Sequence, residues 1–565
     1  MNKALYVLLF CFPVILLSQN PLLIPDTLSG TQFQLNLDQG SKSFFPDQLT
    51  NTIGYNQDIL GPTLIFEQGQ NVSIDVVNGL SEPTTLHWHG LHVSSENDGG
   101  PHTVIQAGET WSPSFTILDH AATYWYHPHL HEHTEQQVTE GAAGFIIVRD
   151  EAEAQLNLPR RYGLDDFPLV IQSRAFDSNR QFQTGTAADQ HLMVNATLDP
   201  FLEVPAQVVR FRLLNGSTER VYNLGFDDNQ SFYQIASDGG LLNTSVPLTR
   251  LLLSPGERAE ILVDMTGRSG QIGQMMSFGS EIPNGIYGAS NPSAMGMGSI
   301  SGYSSNPLNG NDFDVLKLEI KDAVEGAVFS IINELVTNIP YAQNETDVTR
   351  TLTFTPRQMG MSGMLNGPFV INGVSFDMNV INYQIPLNNT EVWELVNQTA
   401  IAHPFHIHDV QFYILDINGN PPPQHLSGRK DVVLVPPMGG RVRFITRFDD
   451  FANPDIPFMY HCHMLSHEDD GMMGQFVVVD QSTKAEKVLE KDLVIYPSPA
   501  IDKLHLIGVE KGSVYRVYNS SGILQVLNKV ETDDPVLNIS KLLSGVYFIE
   551  LRSKNQIRTA RFVRK

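Results

Sequence analysis

Asn71-Val72-Ser73-Ile74-Asp75-Val76-Val77-Asn78-Gly79 sets Val72, Ile74 and Val76 against Ser73, Asp75 and Val77 and closes on Asn-Gly. An apolar period of two marks a strand with one buried face, and Asn-Gly is a dipeptide that turns such a strand back. The same texture starts near Gln32 and recurs at residues 208–214 and 441–446, in short segments broken by Gly, Pro and Asn. No long segment with a period of 3.6 competes. The expected architecture is an all-β chain of sandwiches.

At 565 residues the chain holds three or four domains of about 150 residues each. Its 36 basic and 61 acidic residues give a formal charge of −25, which opposes binding to nucleic acid or an anionic membrane and favours solubility or small cationic substrates. Residues 490–565 break that balance, with 12 basic and 8 acidic residues, so the tail reads as a separate module. The expected divisions are a leader at 1–19, domains at 20–150, 160–325 and 340–480, a charged linker at 481–491 and the tail at 492–565. The first domain should end near Arg149-Asp150, and the Gly/Ser/Asn/Met-rich stretch 275–311 of the second is expected to be a mobile loop.

The leader reads Met1-Asn2-Lys3, an apolar run from Ala4 to Leu17, then Ser18-Gln19. This is the pattern of a secretory signal peptide, too short for a stable transmembrane anchor, and no later segment reaches spanning length. The chain has 2 cysteines. With Cys11 inside the leader, Cys462 is the single thiol expected in the mature protein and has no internal disulfide partner. Export suits a chain whose one thiol is protected as a ligand.

That thiol stands in His461-Cys462-His463-Met464-Leu465-Ser466-His467-Glu468-Asp469-Asp470-Gly471-Met472. One cysteine, two histidines and a weak axial methionine are the ligand set of a blue-copper centre, because soft sulfur suits copper cycling between two oxidation states. Three further clusters, His87-Trp88-His89, His127-Pro128-His129 and His403-Pro404-Phe405-His406-Ile407-His408, bring the clustered histidines to ten of the 18. On a strand, residues i and i+2 project from one face about 6.6 Å apart, so each pair can serve two neighbouring metals. The same rule sends Cys462 to one side and His461 and His463 to the other, joining two metal sites covalently. A structural zinc site needs four ligands and would leave most of these histidines idle.

Read in order, these motifs resemble the multicopper oxidases, in particular the three-domain bacterial laccase-like and copper-efflux type. The resemblance covers about residues 25–480 and extends to Asp98-Gly99-Gly100-Pro101, Val208-Val209-Arg210-Phe211-Arg212-Leu213-Leu214-Asn215, Ser237-Asp238-Gly239-Gly240 and Asn372-Gly373-Val374-Ser375-Phe376-Asp377-Met378-Asn379. It implies three cupredoxin-like Greek-key β-sandwiches and four copper ions. His403, Cys462, His467 and axial Met472 would hold type 1 copper, although sequence alone does not separate Met472 from Met473. His87 and His406 would hold type 2 copper, and His89, His127, His129, His408, His461 and His463 the type 3 pair. The trinuclear cluster would lie between the first and third domains, with the second as spacer and structural partner. His131 and His133 are spare, His131 in a hydrogen-bonding role.

The chemistry implied is removal of single electrons from a substrate at the type 1 site, transfer through Cys462 to His461 and His463, and reduction of dioxygen to water. Asp98 and Glu468 occupy the positions that resemble the family's proton-relay acids. Phenols or aromatic amines rank first as substrates. Cuprous or other metal-ion oxidation ranks second, because Thr399 and Ile401 stand where the efflux type tends to have aspartate and methionine; Met295, Met297, Met359, Met361 and Met364 offer a substitute soft surface. A non-enzymatic copper-binding envelope role is the remaining alternative. The tail, from Tyr496-Pro497-Ser498-Pro499-Ala500 through Leu543-Ser544-Gly545-Val546-Tyr547-Phe548 to Arg564-Lys565, resembles the sorting domain of type IX secretion, a strand-rich address expected to engage that machinery and place the protein outside the cell or on its surface.

Overall fold

Val72, Ile74 and Val76 do face the core, each 1% exposed or less, while Asn71 and Asp75 face water along the strand Asn71–Asn78. Asn78 closes the strand by donating from Nδ2 to the carbonyls of Glu82 and Ile105, both at 2.9 Å. These features come from a computed structural model describing residues 20–46, 48–480, 493–520, 522–532, 535–553 and 556–565. The expected leader and the linker at 481–491 lie outside the described residues.

Three cupredoxin-like sandwiches follow one another, with a smaller β-sandwich after them. In the first, a sheet containing Gln48–Tyr55, Gln32–Phe45 and Asn71–Asn78 packs on a second sheet ordered Thr27–Ser29, Thr63–Glu67, Gly144–Arg149, Ala122–His127, His87–His89. In the third, the sheet Tyr383–Pro386, Met473–Val479, Phe458–Cys462, His403–Ile407, Val432–Val435 carries the remaining histidine motifs. Parallel pairs such as Gly144–Arg149 with Thr63–Glu67 mark the crossovers of a Greek key rather than a simple meander. The tail packs a three-stranded on a four-stranded sheet around Leu504, Leu506, Val517, Ile549 and Leu551.

Two expectations need correction. The N-terminal strand Asn20–Pro21 does not join the first sandwich; it pairs in parallel with Pro200 and Phe201 of the second. Nor is the 275–311 stretch a free loop. Its start belongs to the strand Ile272–Phe278, and beyond it Tyr287 and Tyr303 are buried. Tyr303 Oη accepts from Gly288 N at 2.8 Å and donates to Ala289 O at 2.7 Å. Two backbone bonds, Ala294 N to Ala400 O at 2.9 Å and Ala402 N to Gly285 O at 2.7 Å, fasten it to the third sandwich. Composition signalled an irregular path; the tyrosines supply the burial that pins it.

The strand Val208–Asn215 shows how the second sandwich meets the first. Val209, Phe211 and Leu213 point into its own core, while Arg210 and Arg212 point out yet remain fully buried. Arg210 donates to Glu153 at 2.7 Å and to Glu260, and Arg212 donates to Glu260 at 2.6 Å and to Asp166 at 2.7 and 2.9 Å. Glu260 also accepts from Thr123, on the histidine-bearing strand Ala122–His127, at 2.7 Å. Removing one partner of a buried pair leaves an uncompensated charge. Glu260→Ala should therefore cost about 3–5 kcal/mol in denaturant unfolding of the whole chain, and a loss under 1 kcal/mol would mean the network is not closed.

Candidate metal centre

The four histidine motifs converge because their strands are neighbours and their pairs alternate as strand geometry requires. His87 pairs with His127 across one sheet, and His406 with His461 across the other. The two sheets meet ring on ring, His87 stacked on His408 and His89 on His406, both at 3.8 Å between centroids. All eight of these imidazoles, including His129 and His463, are at most 2% exposed.

Each ring's outer nitrogen fixes what its inner nitrogen offers. His87 Nδ1 lies 2.9 Å from Asp98 O, His406 Nδ1 2.9 Å from Asp431 O, His127 Nδ1 2.8 Å from Pro128 O and His461 Nδ1 3.0 Å from Cys462 O. A carbonyl can only accept, so these rings donate outward and turn a bare Nε2 inward. His89 is reversed: its Nε2 donates to Asp431 Oδ1 at 3.1 Å and leaves Nδ1 free. His129 and His463 are the exceptions, the Nδ1 of each buried without a hydrogen-bond partner.

The inward nitrogens gather in groups. His127 Nε2 and His463 Nε2 lie 3.4 and 3.2 Å from His89 Nδ1, while His129 Nε2 and His408 Nε2 lie 3.2 and 3.4 Å from His461 Nε2. Nitrogens about 2.0–2.1 Å from one ion in tetrahedral array stand about 3.3 Å apart. The spacing fits two three-imidazole metal sites. His87 Nε2 and His406 Nε2 are buried without a partner, and with His89 they form a third potential ligand group. Burial, followed by the charge of neighbouring imidazoles, holds His89, His127, His406 and His408 well below the usual imidazole range. Burial likewise takes His129 and His463 down to about 3. Neutral imidazole is the ligating form.

On the opposite face of the strand Phe458–Cys462, Cys462 Sγ lies 3.5 Å from His403 Nδ1 and 3.7 Å from His467 Nδ1. His403 Nε2 is 2.9 Å from Thr399 Oγ1, whose hydroxyl lies within donating reach of Asn397 Oδ1 at 2.8 Å. Thr399 therefore accepts from Nε2 and leaves Nδ1 bare. Phe369 stacks edge-on against both rings at 4.7 Å. Met472 and Met473 now separate. Met473 is in register with His461, so it shares the histidine face; Met472, fully buried, packs in the core cluster that contains Cys462. Thiol and imidazoles form a donor set that suits copper.

Both expected acids stand against ligand-type histidines. Asp98 Oδ2 lies 2.8 Å from His408 Nδ1, and Glu468 Oε2 and Oε1 lie 3.0 Å from His461 Nδ1 and 3.3 Å from His129 Nδ1. His131 faces Phe376 at 5.1 Å with a buried, unpartnered Nδ1, so the hydrogen bond expected of it is not formed there. His133 is exposed beside Gln136.

Sequence reading missed three residues. Asp431 accepts from His89 through its side chain and from His406 through its carbonyl. Arg258, from the second sandwich, donates to Asp431 at 2.6 and 2.5 Å and to Thr123 O at 3.1 Å, joining all three sandwiches beside the histidines. Gly256, at φ +81°, backs onto His463, where an added Cβ would lie 2.8 Å from the ring. The second sandwich thus does more than space the other two. The available signal was Arg429-Lys430-Asp431 abutting the apolar strand Val432–Val435, since charges next to a buried strand require partners.

Together the fold and the site define a buried thiol–imidazole group whose one cysteine is flanked in sequence by members of two opposing imidazole groups. Residues 39–153 and 343–482 match family profiles described as multicopper oxidase, and residues 494–565 match one described as a secretion system C-terminal sorting domain. A multicopper oxidase of Staphylococcus haemolyticus is 33% identical over 458 residues, covering 79% of this chain and 88% of the relative. The cell division protein FtsP of Xenorhabdus nematophila is 31% identical over 80% of this chain and 90% of its own length. The solved structure of a bacterial laccase-like multicopper oxidase, CueO from Ochrobactrum sp., described as active towards lignin model compounds and lignosulfonate, superposes with a TM-score of 0.71 at 34% identity, covering 81% of this chain and all of that one. The chain belongs to the multicopper oxidase family. It is a copper-dependent oxidoreductase, and its tail is a sorting domain of the kind that directs export by type IX secretion. Among the described residues no helix is long and apolar enough to cross a membrane.

Gly256→Ala separates the two halves of the centre. The extra methyl meets the His463 ring, so copper bound per chain should fall while the blue absorption of the thiolate site persists; metal analysis alongside the visible spectrum checks this, and unchanged copper content would refute it.

Proposed function

We propose that His403, Cys462, His467 and Met472 hold type 1 copper, His87 and His406 type 2 copper, and His89, His127, His129, His408, His461 and His463 a type 3 pair, four copper ions in all. The enzyme then couples four one-electron oxidations of a phenol or aromatic amine to reduction of dioxygen to water. The observation that carries this reading is that Cys462 lies within reach of His403 and His467 while its chain neighbours His461 and His463 sit in the two opposing imidazole groups.

When bound, copper at these positions supplies one-electron acceptance at the thiolate and dioxygen reduction at the imidazole cluster. The chain supplies the rest. His467 is the one histidine of the thiolate group that is not fully buried, so it marks the face where a reductant delivers its electron. The Cys462 backbone and side chain link that face to His461 and His463. Asp98 Oδ2 and Glu468 Oε2, each beside a ligand imidazole, stand where they can relay the protons that dioxygen reduction consumes.

Phenols and aromatic amines rank first because Thr399 and Ile401 are buried and present no soft donor to solvent. The likeness to a laccase-like oxidase described as acting on lignin model compounds points the same way. Metal-ion oxidation is the second reading, favoured by one observation: Met297, Met359 and Met361 are 56%, 84% and 52% exposed. They lie on segments bonded to the 400–402 stretch through Met364 O and Ala294 N.

Oxygen uptake by copper-loaded protein, measured in turn with phenols, cuprous ion and ferrous ion, decides between them. Phenol turnover is the expected result; uptake with cuprous ion alone reverses the order. Cys462→Ser should abolish the blue colour and all uptake. Asp98→Asn and Glu468→Gln should retain the colour and lower kcat by about 10²–10⁴-fold, and full activity in both would remove them from the relay.

A further inference from the structure

The loop between Cys462 and His467 is short, and the second sandwich grips it. Leu465 N donates to Thr218 O at 2.9 Å, and the Ser466 hydroxyl donates to the Glu219 carboxylate. Glu219 belongs to the turn that follows the buried strand Val208–Asn215, whose position the arginine network fixes. Among the described residues Ser466 is its one hydrogen-bond donor of the third sandwich. The nearest cation, Arg220, is already held by Asp189 at 3.0 and 2.7 Å. A carboxylate without a cation of its own thus rests on the peptide that spaces Cys462 and His467.

We propose that Glu219 is a positioning residue for the type 1 site: its carboxylate anchors Ser466, holds the 462–467 loop, and lowers the reduction potential of the centre by its negative charge. This rests on the type 1 assignment above. No motif in the second sandwich announces the role, and the contact spans 247 positions of sequence. Burial pushes the Glu219 carboxyl up to about 7, with Glu135 and Asp189 adding to the rise and Ser466 and Arg220 opposing it. Its charge therefore changes near neutrality. Deprotonation as pH rises adds a negative charge, which favours the more positive oxidised metal, so the potential should fall as pH passes through about 7.

The test is a redox titration of the blue absorption in copper-loaded full-length protein on both sides of neutral pH, for wild type, Glu219→Gln and Ser466→Ala. The expected result is a higher potential in Glu219→Gln at alkaline pH, with the wild-type fall through neutrality removed. Ser466→Ala keeps the charge but loses the tether, so the fall should remain while the position and width of the blue band change. A merely structural Glu219 would move thermal stability and leave the pH profile intact. A blue wild type whose potential and profile are unchanged in Glu219→Gln overturns this inference alone; a wild type with no blue band overturns the type 1 reading and this inference with it.

Discussion

Bare imidazole nitrogens facing one another at 3.2–3.4 Å repel, and rings buried at 2% exposure or less have lost the water that would separate them. Polar atoms are not gathered this way without compensation. A cation at the centre of each group converts mutual repulsion into coordination, and its binding energy becomes part of the folding energy of the sandwiches that carry the rings. The rest of the architecture serves that constraint. Outer hydrogen bonds choose the tautomers, ring-on-ring stacking brings the first and third sandwiches into register, and Arg258 holds Asp431 where His89 needs it.

Much of the design was legible in the chain. Alternation at 71–78 foretold a half-buried strand because one face packs on a core and the other meets solvent. The His-x-His and His-Cys-His spacings foretold imidazoles on one face and a thiol on the other because strand side chains alternate. What stayed hidden has one common cause: Asp431, Arg258, Gly256 and Glu219 act on ligands far away in sequence, so no local period or spacing marks them. The placements of Met472 and Met473 separated only once the register of Met473 with His461 was known. The 275–311 stretch misled because its small and polar composition outweighed two tyrosines whose burial is a tertiary effect.

The second sandwich illustrates why the absence of ligands is a poor guide to the absence of a role. It contributes no histidine to the cluster, yet its backbone comes against His463, its guanidinium stabilises the acid that orients His89, and its 218–219 turn bears on the thiolate loop. Each contact is made from an element locked by a buried ionic network, so placement is rigid.

One turn of helix, Leu465–Asp469, gathers four of these contacts in consecutive residues. Ser466 meets the second sandwich, His467 the thiolate and Glu468 the imidazole cluster. Asp469 accepts from the amides of Thr134 and Glu135 at 3.0 and 2.9 Å, at the start of a helix in the first sandwich. Such a turn behaves as a lever with no free arm: a tilt that relaxes one neighbour displaces the other three. Sequence drift within it must be concerted with changes in all three flanking bodies, and the thiol group and the imidazole cluster cannot be retuned independently through this segment.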